Sequence, residues 1–336
     1  MKNYNVAIVG ATGAVGQELM KILAERSFPV KNLLLLASAR SEGKKMTWQG
    51  REYTVHEAKP EAFDGVDLVL FAGGSISKTL APEAVKRGAV CIDNSSTFRY
   101  DPDVPLVVPE VNPEDVRWHK GIIANPNCST IQMVVALKPL YDAFGIKRVI
   151  VATYQAVSGA GKEGLDELAG QIKAYAEGKE LTVEAFQHQI LLNVIPHIDV
   201  FQDNDYTKEE MKMTWETRKM LHNDGIALSA TAVRVPVFRS HAEAIHIETE
   251  KPVTAEQARR VLANAPGVVI QDDPAQNLYP MPLKTSDTDE VYVGRIRKDI
   301  AVENGLSLFV VADQIRKGAA TNTVQIAEVL LAEGLL

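Results

Sequence analysis

Through the first third of the chain, short apolar runs alternate with amphipathic stretches. YNVAIVG is followed by a helical pattern through Leu23, then LLLLAS, VDLVLFA, a second helical pattern near Ser77 to Lys86, and GAVCID. Apolar strands alternating with helices predict a parallel α/β sheet whose strands are buried on both faces. After Cys128 the texture changes to longer strand-like runs, KRVIVATYQAV and IALSATAVRVPV, with helices predicted at about Lys162 to Glu177 and Lys208 to Leu221. This second pattern is α+β. PVTAEQARRVLANAPG predicts one more helix, with Thr254 and Gln257 at capping-box spacing and Pro266-Gly267 as its stop. The last segment, GLSLFVVADQIRKGAATNTVQIAEVLL, reads as a buried strand and a final helix that packs back on the first domain. A chain of 336 residues exceeds one ordinary core. The expected division is a first domain over 1–127, completed by 313–336, and a second over 128–312.

Composition narrows the function. No apolar run approaches the roughly 20 residues needed to cross a bilayer, and Met1 leads straight into a strand-like stretch without a signal-peptide pattern. The expected compartment is the cytoplasm. A formal charge of -7 and a pI near 5.6 argue against a nucleic-acid or anionic-membrane partner. Two cysteines, Cys91 and Cys128, make neither a disulfide framework nor a cysteine metal site. A small-molecule substrate and no metal are therefore expected.

VAIVGATGAVGQELM places Gly10, Gly13 and Gly16 between an apolar strand and an amphipathic helix. Glycines allow a tight turn and close backbone approach, and the N–H groups at a helix start favour a pyrophosphate. The second strand ends in LLLLASARSEGKK, with Ser38, Arg40, Ser41, Lys44 and Lys45 and no carboxylate at its tip. NAD sites usually carry an acidic residue there for the ribose hydroxyl, whereas a guanidinium pairs with a 2′-phosphate. NADP(H) is the expected cofactor.

Cys128 follows Asn125-Pro126-Asn127 and begins a pattern that runs helical to about Lys138, before Pro139. A thiol at a helix N-terminus is biased toward thiolate, and the same amides can hold an oxyanion. From position alone, nucleophile and packed thiol are both open. Cys91, inside GAVCID, reads as a small hydrophobe. Among the seven histidines, His241 in VRVPVFRSHAEAIHIE stands at a junction between two strand-like runs and suits proton transfer. His241 and His246 differ in strand parity and face opposite sides, which disfavours a shared metal. Arg99 follows DNSSTF, Lys212 lies in KEEMK with Glu209 at i−3, and Arg234 is expected mid-strand, where an unpaired charge is costly. These basic groups suit an anionic substrate.

Together, GATGAVG, ASARS, IDNSSTFR, NPNCSTIQ, YQAVSGAG, KEEMK and VRVPVFRSHAE resemble, in order and spacing, the aspartate-β-semialdehyde dehydrogenases over essentially the whole chain. The resemblance implies a glyceraldehyde-phosphate-dehydrogenase-like fold: an N-terminal Rossmann-type parallel sheet domain with an α+β catalytic and dimerisation domain. It implies Cys128 as nucleophile, His241 as general acid/base, and Gln155 as a positioner of substrate and attacking water or phosphate. Arg99 and Lys212 look like the phosphate pocket, and Glu209 and Arg234 like the groups for the substrate's amino and carboxylate ends. For NADP it implies Gly10, Thr12, Gly13, Ala14, Val15, Gly16, Ser38, Arg40 and Ser41, with Ser158, Gly159 and Gln314 near the nicotinamide. One departure is visible, Ala232 where family signatures often carry cysteine. The implied reaction is NADPH-dependent reductive dephosphorylation of L-aspartyl-4-phosphate, in lysine (diaminopimelate), threonine and methionine biosynthesis, by a homodimer or homotetramer. The alternatives are an N-acetyl-γ-glutamyl-phosphate reductase and a non-catalytic NADPH-sensing regulator.

Overall fold

The computed structural model describes residues 3–336. The chain forms two compact units, Met1–Asn127 with Ala319–Leu336, and Cys128–Gly318.

In the first unit β1 (Tyr4–Val9), α1 (Ala14–Glu25), β2 (Val30–Ala37), β3 (Lys45–Trp48), β4 (Arg51–Glu57), β5 (Leu68–Phe71), α2 (Ser77–Lys86), β6 (Val90–Asp93) and β7 (Ile122–Ala124) follow one another. The seven strands lie in the order β3-β4-β2-β1-β5-β6-β7, parallel except for the β3–β4 hairpin. The central strands are apolar on both faces because each face has its own core. Val6, Ile8, Leu35, Leu68, Leu70 and Ile92 join one core, while Ala7, Val9, Leu36, Val69, Phe71 and Cys91 join the other. The C-terminal helix Thr321–Glu333 adds Val324, Ile326, Ala327 and Leu330 to the first of these, beside Leu19, Ile22 and Leu23 of α1. Its outer face pairs Glu328 with Arg26 at 2.6 Å, and Gly334 ends it in the left-handed region at φ 69°.

The second unit contains α3 (Cys128–Phe144), β8 (Ile146–Gln155), α4 (Gly161–Ala176), α5 (Lys208–Met220), β9 (Ala227–Arg234), β10 (His241–Thr249), α6 (Ala255–Ala263), β11 (Val268–Ile270), α7 (Pro282–Thr285), β12 (Val291–Lys298) and β13 (Gly305–Ala312). Its mixed sheet has the order β11-β12-β13-β10-β8-β9. Along β8, Val149, Val151, Thr153 and Gln155 are buried, whereas Ile150 and Tyr154 are 46% and 39% exposed. That period of two marks a sheet with helices α3, α5 and α6 packed against it. The Thr254–Gln257 capping box forms as expected, and Thr207 with Glu210 makes a second at the start of α5.

Three expectations change. Helix α3 does not stop before Pro139 but continues to Phe144, because Leu137 and Leu140 on either side of the proline are fully buried and hold it in register. Arg234 is the last residue of β9 and not mid-strand, so its side chain can turn into the loop after β8. Residues 313–318 stay with the second unit: Asp313 accepts the N–H groups of Ile315 and Arg316 and pairs with Arg239 at 2.6 Å.

Candidate active site

In the first unit, the loop after β1 turns at Gly10, whose φ is +87°. A Cβ at Gly16 would lie 2.3 Å from the Gly10 carbonyl oxygen, so helix-on-loop packing alone demands glycine there. Gly13 is the N-cap of α1; no side chain caps it, and no acidic residue stands in the first turn. With Thr12 in the loop and Ala14 and Val15 in the first turn of α1, these amides fit an anionic pyrophosphate. The chain leaves β2 through a short turn, Ala39–Ser41, that exposes Ser38 and Arg40 and buries Ser41. The exposed Arg40 guanidinium fits a 2′-phosphate, with the carboxylates of Glu57, which ends β4 beside Ala37, and Glu42 at the same edge of the sheet.

Arg99 is fixed by the run that precedes it. Its Nε donates to the Asn125 carbonyl at 2.9 Å and its Nη2 to the Asn94 carbonyl at 2.8 Å. Asn94 donates to the Phe71 carbonyl and accepts from Thr323, while Asn322 donates to Asn125 Oδ1 at 2.7 Å. Beneath them Asp93 accepts the Ser95 N–H and hydroxyl at 2.9 and 2.6 Å. Burial raises its carboxyl pKa, against those bonds and the Arg99 charge.

The remaining candidates gather in the second unit. Helix α3 begins at Cys128, with no acidic residue in its first turn. The register of β8 with β9 and β10 sets Gln155 opposite Arg234 and puts His241 at the adjoining strand end. His241 is completely buried, and its Nδ1 accepts the Ala156 N–H at 3.0 Å. The ring proton of the neutral imidazole is thereby assigned to Nε2, which has no partner among the described residues. Burial first, and the Arg234 charge second, lower its pKa to about 3. Arg234 donates Nη1 to the Ala156 carbonyl at 2.8 Å, so one peptide unit on each side of Ala156 Cα orients both residues. The guanidinium lies 5.9 Å from the Phe186 ring centroid and interacts with the charges of Glu209 and Cys128. Burial lowers its pKa in spite of them.

Gln155 donates its side-chain amide to Glu209 Oε1 at 3.2 Å and to Thr153 Oγ1 at 3.3 Å. Lys212 pairs with Glu209 at 3.0 Å and with Asp199 at 2.7 Å. Burial opposes its charge, but the two carboxylates raise its pKa above the ordinary value. Gln314 bonds the Ser158 hydroxyl through Nε2 and accepts the Ser240 N–H at 2.8 Å through Oε1. Gly159 lies against the pair: a Cβ there would come 2.7 Å from Arg234 Nη1 and 3.3 Å from His241 Nε2.

Sequence reasoning passed over four contributors. Asp199 is the second partner of Lys212, and its irregular PHIDVF context carries no signal. Ala156 acts through its backbone. Ser240 takes a left-handed φ of 70° immediately before His241. Gly318 abuts the cysteine, since a Cβ there would sit 2.9 Å from Cys128 Cβ; the small-residue run KGAAT was the available clue. Cys91 is buried in its strand with its thiol pKa raised by burial, as expected of a packing residue. His246 is 43% exposed on the opposite face from His241.

A soft nucleophile at a helix start, a neutral imidazole N–H, a carboxylate, cations and anion-binding amides suit acyl transfer coupled to nicotinamide redox chemistry. Residues 5–119 match the family "Semialdehyde dehydrogenase, NAD binding domain", and residues 137–317 match "Semialdehyde dehydrogenase, dimerisation domain". The aspartate-semialdehyde dehydrogenase of Aquifex aeolicus is 62% identical, with 99% of each chain covered. A crystal structure of aspartate semialdehyde dehydrogenase II from Vibrio cholerae, complexed with ASA, matches with a TM-score of 0.96 and 51% identity over 99% of each chain. The Candida albicans enzyme solved with NADP matches with a TM-score of 0.77 and 26% identity over 100% of each chain. The architecture, the two domain matches and the full-length identity agree: the chain belongs to the aspartate-semialdehyde dehydrogenase family.

Proposed function

We propose that the protein reduces L-aspartyl-4-phosphate to L-aspartate-4-semialdehyde and phosphate with NADPH, reversibly in vitro, through a thioester on Cys128. The observation that carries this reading is His241. Its Nδ1 is engaged by the Ala156 N–H, so Nε2 presents a proton from a neutral, fully buried ring in the unit that opens with Cys128.

Cys128 attacks the acyl phosphate as thiolate, aided by the N-terminus of α3. Arg234 takes the substrate carboxylate and Glu209 its amino group; Gln155, hydrogen-bonded to Glu209, places the reacting carbonyl. Arg99 and Lys212 hold the phosphate as it leaves. The glycine loop with Arg40 and Ser41 holds the cofactor, with Ser158, Gly159 and Gln314 toward the nicotinamide. NADPH, when bound, supplies the hydride that reduces the acyl carbon. His241 shares its Nε2 proton with the oxygen of each tetrahedral state as charge develops there, and takes it back as the C–S bond breaks. A neutral donor does this without holding a net positive charge beside Arg234.

The exposed Ile150 and Tyr154 face of the second unit's sheet, with the Phe309 ring 6.3 Å from Tyr154, supports a homodimer through that unit. A dimer of dimers is the larger assembly that light scattering would detect. A thiol nucleophile suits the reducing cytoplasm.

The test follows NADPH absorbance with L-aspartate semialdehyde, phosphate and NADP. Wild-type protein gives rising absorbance and Cys128→Ala gives none. A flat wild-type trace that rises with N-acetylglutamate semialdehyde would move the assignment to the acetylated substrate. NADP binding without turnover of either aldehyde would favour the regulator.

A further inference from the structure

Glu243 lies on β10 two residues beyond His241, in register with Thr153 of β8 and Val310 of β13. It is completely buried, and among the described residues neither carboxyl oxygen has a well-formed hydrogen bond. A second orphan stands against it. Gln132, one turn beyond Cys128 on α3, donates Nε2 to the His241 carbonyl at 3.3 Å, while its buried Oε1 has no partner among the described residues. Gln132 is the side chain that acts on the Glu243 carboxyl, its amide favouring the ionised form against a larger effect of burial; among the described residues no arginine, lysine or histidine does so. From β9, Ala232 fills the place next to Thr153. With the Gln132 Nε2 committed to the His241 carbonyl, Gln132 Oε1 and the Glu243 oxygens are buried acceptors without a well-formed bond, which is costly, and an unpaired carboxylate is costlier. A single proton resolves both. Burial also drives this carboxyl pKa well above its ordinary value.

We propose that Glu243 is held as a neutral carboxylic acid whose O–H closes on Gln132 Oε1, and that this clasp is a positioning device tying the first turns of the Cys128 helix to the strand end that carries His241. The proposal rests on the reading of Cys128 and His241 as the reacting pair. It explains why a glutamate is used without an ion pair: the neutral acid donates a bond and adds no negative charge behind a thiolate.

Two measurements test it. In infrared difference spectra at neutral pH, with 13C-labelled glutamate, the wild-type protein shows a protonated-carboxyl C=O band that E243Q lacks; absence of the band in the wild type overturns the proposal. In the second, Cys128 alkylation by iodoacetamide and steady-state turnover are compared across variants. E243Q keeps a neutral donor and holds both rates within about threefold of wild type, while E243M and Q132M each lose about tenfold in alkylation rate and kcat with KM little changed. The E243M/Q132M double variant is no slower than either single one. E243Q as slow as E243M, E243M as fast as wild type, or additive losses would each refute the clasp. Alkylation reads the thiol without turnover, so failure of the substrate assignment leaves this test intact. The spectrum needs no E243M protein, which covers the case in which that variant does not fold.

Discussion

Gly318→Ala places a methyl 2.9 Å from Cys128 Cβ and 3.3 Å from both Cys128 Cα and Gln314 Cβ. Carbon atoms prefer about 3.5–4.0 Å, so the overlap with Cβ is roughly 0.6–1 Å. Neither neighbour yields easily. Cys128 Cα and Cβ belong to the first turn of a buried helix, and Gln314 is held by Ser158 and Ser240. Overpacking of this kind costs about 1–3 kcal/mol, which in a unit of this size lowers Tm by roughly 2–10 °C. The nucleophile must also move, and a misplacement of about 1 Å can cost up to ~100-fold in rate. G318A is therefore expected to lose about 10- to 100-fold in kcat/KM and to alkylate at Cys128 with an altered rate, while NADP binding measured by fluorescence changes little. Gly170→Ala is the control: it lies inside α4, and a Cβ there meets nothing within 4 Å. That change should raise stability by about 0.4–1 kcal/mol and leave turnover alone. Wild-type kinetics and an unchanged Tm for G318A would refute the contact argument.

Four further predictions follow from the charges. His241 is neutral in the folded protein down to about pH 3 but titrates near 6.5 once unfolded, so the unfolded chain binds more protons in that window. Stability from this residue is complete above pH 6.5 and is lost as pH falls toward 3; H241N should show a flatter Tm profile there. Glu243 has the opposite sign, because its folded pKa is raised above the ordinary 4.5. The wild type should lose Tm relative to E243Q as pH rises above 4.5, and parallel curves would contradict a buried neutral acid. Arg40→Ala should reduce the ratio of NADP to NAD efficiency by about 10- to 100-fold, the worth of a charge-assisted phosphate contact; an unchanged ratio in paired kinetics would remove Arg40 from the cofactor site. Lys212→Met leaves the Glu209 and Asp199 carboxylates without their shared cation, so calorimetry should show a fall in Tm of several degrees, with a raised KM for phosphate in the assay.

What the sequence revealed was local. Alternating apolar runs, the glycines between β1 and α1, and a cysteine opening an apolar helical pattern each depend on neighbours a few residues away. Pro139 misled because its local tendency to end a helix is outweighed by burial of Leu137 and Leu140. Asp199 gave no signal, and Gly318 only a weak one, for a related reason. Their meaning comes from Lys212 and Cys128, which are brought to them by the tertiary fold. Ala156 shows a further limit, since its contribution is a peptide N–H and a C=O that every residue except proline possesses. Glu243 looked like one more acidic position in a strand, and only complete burial without a cation sets it apart.

The contact between Gly318 and Cys128 also has a topological meaning. These are the last and first residues of the second unit, so that unit is an insertion whose two ends meet. Such a module can be grafted or circularly permuted at little cost to folding, since closing its ends needs no added span. Here the seam is the nucleophile itself. A permutant opened at a surface turn and rejoined across 318 and 128 could keep its hydrophobic core and still lose its chemistry, because the linker would occupy the space that glycine leaves for the thiol.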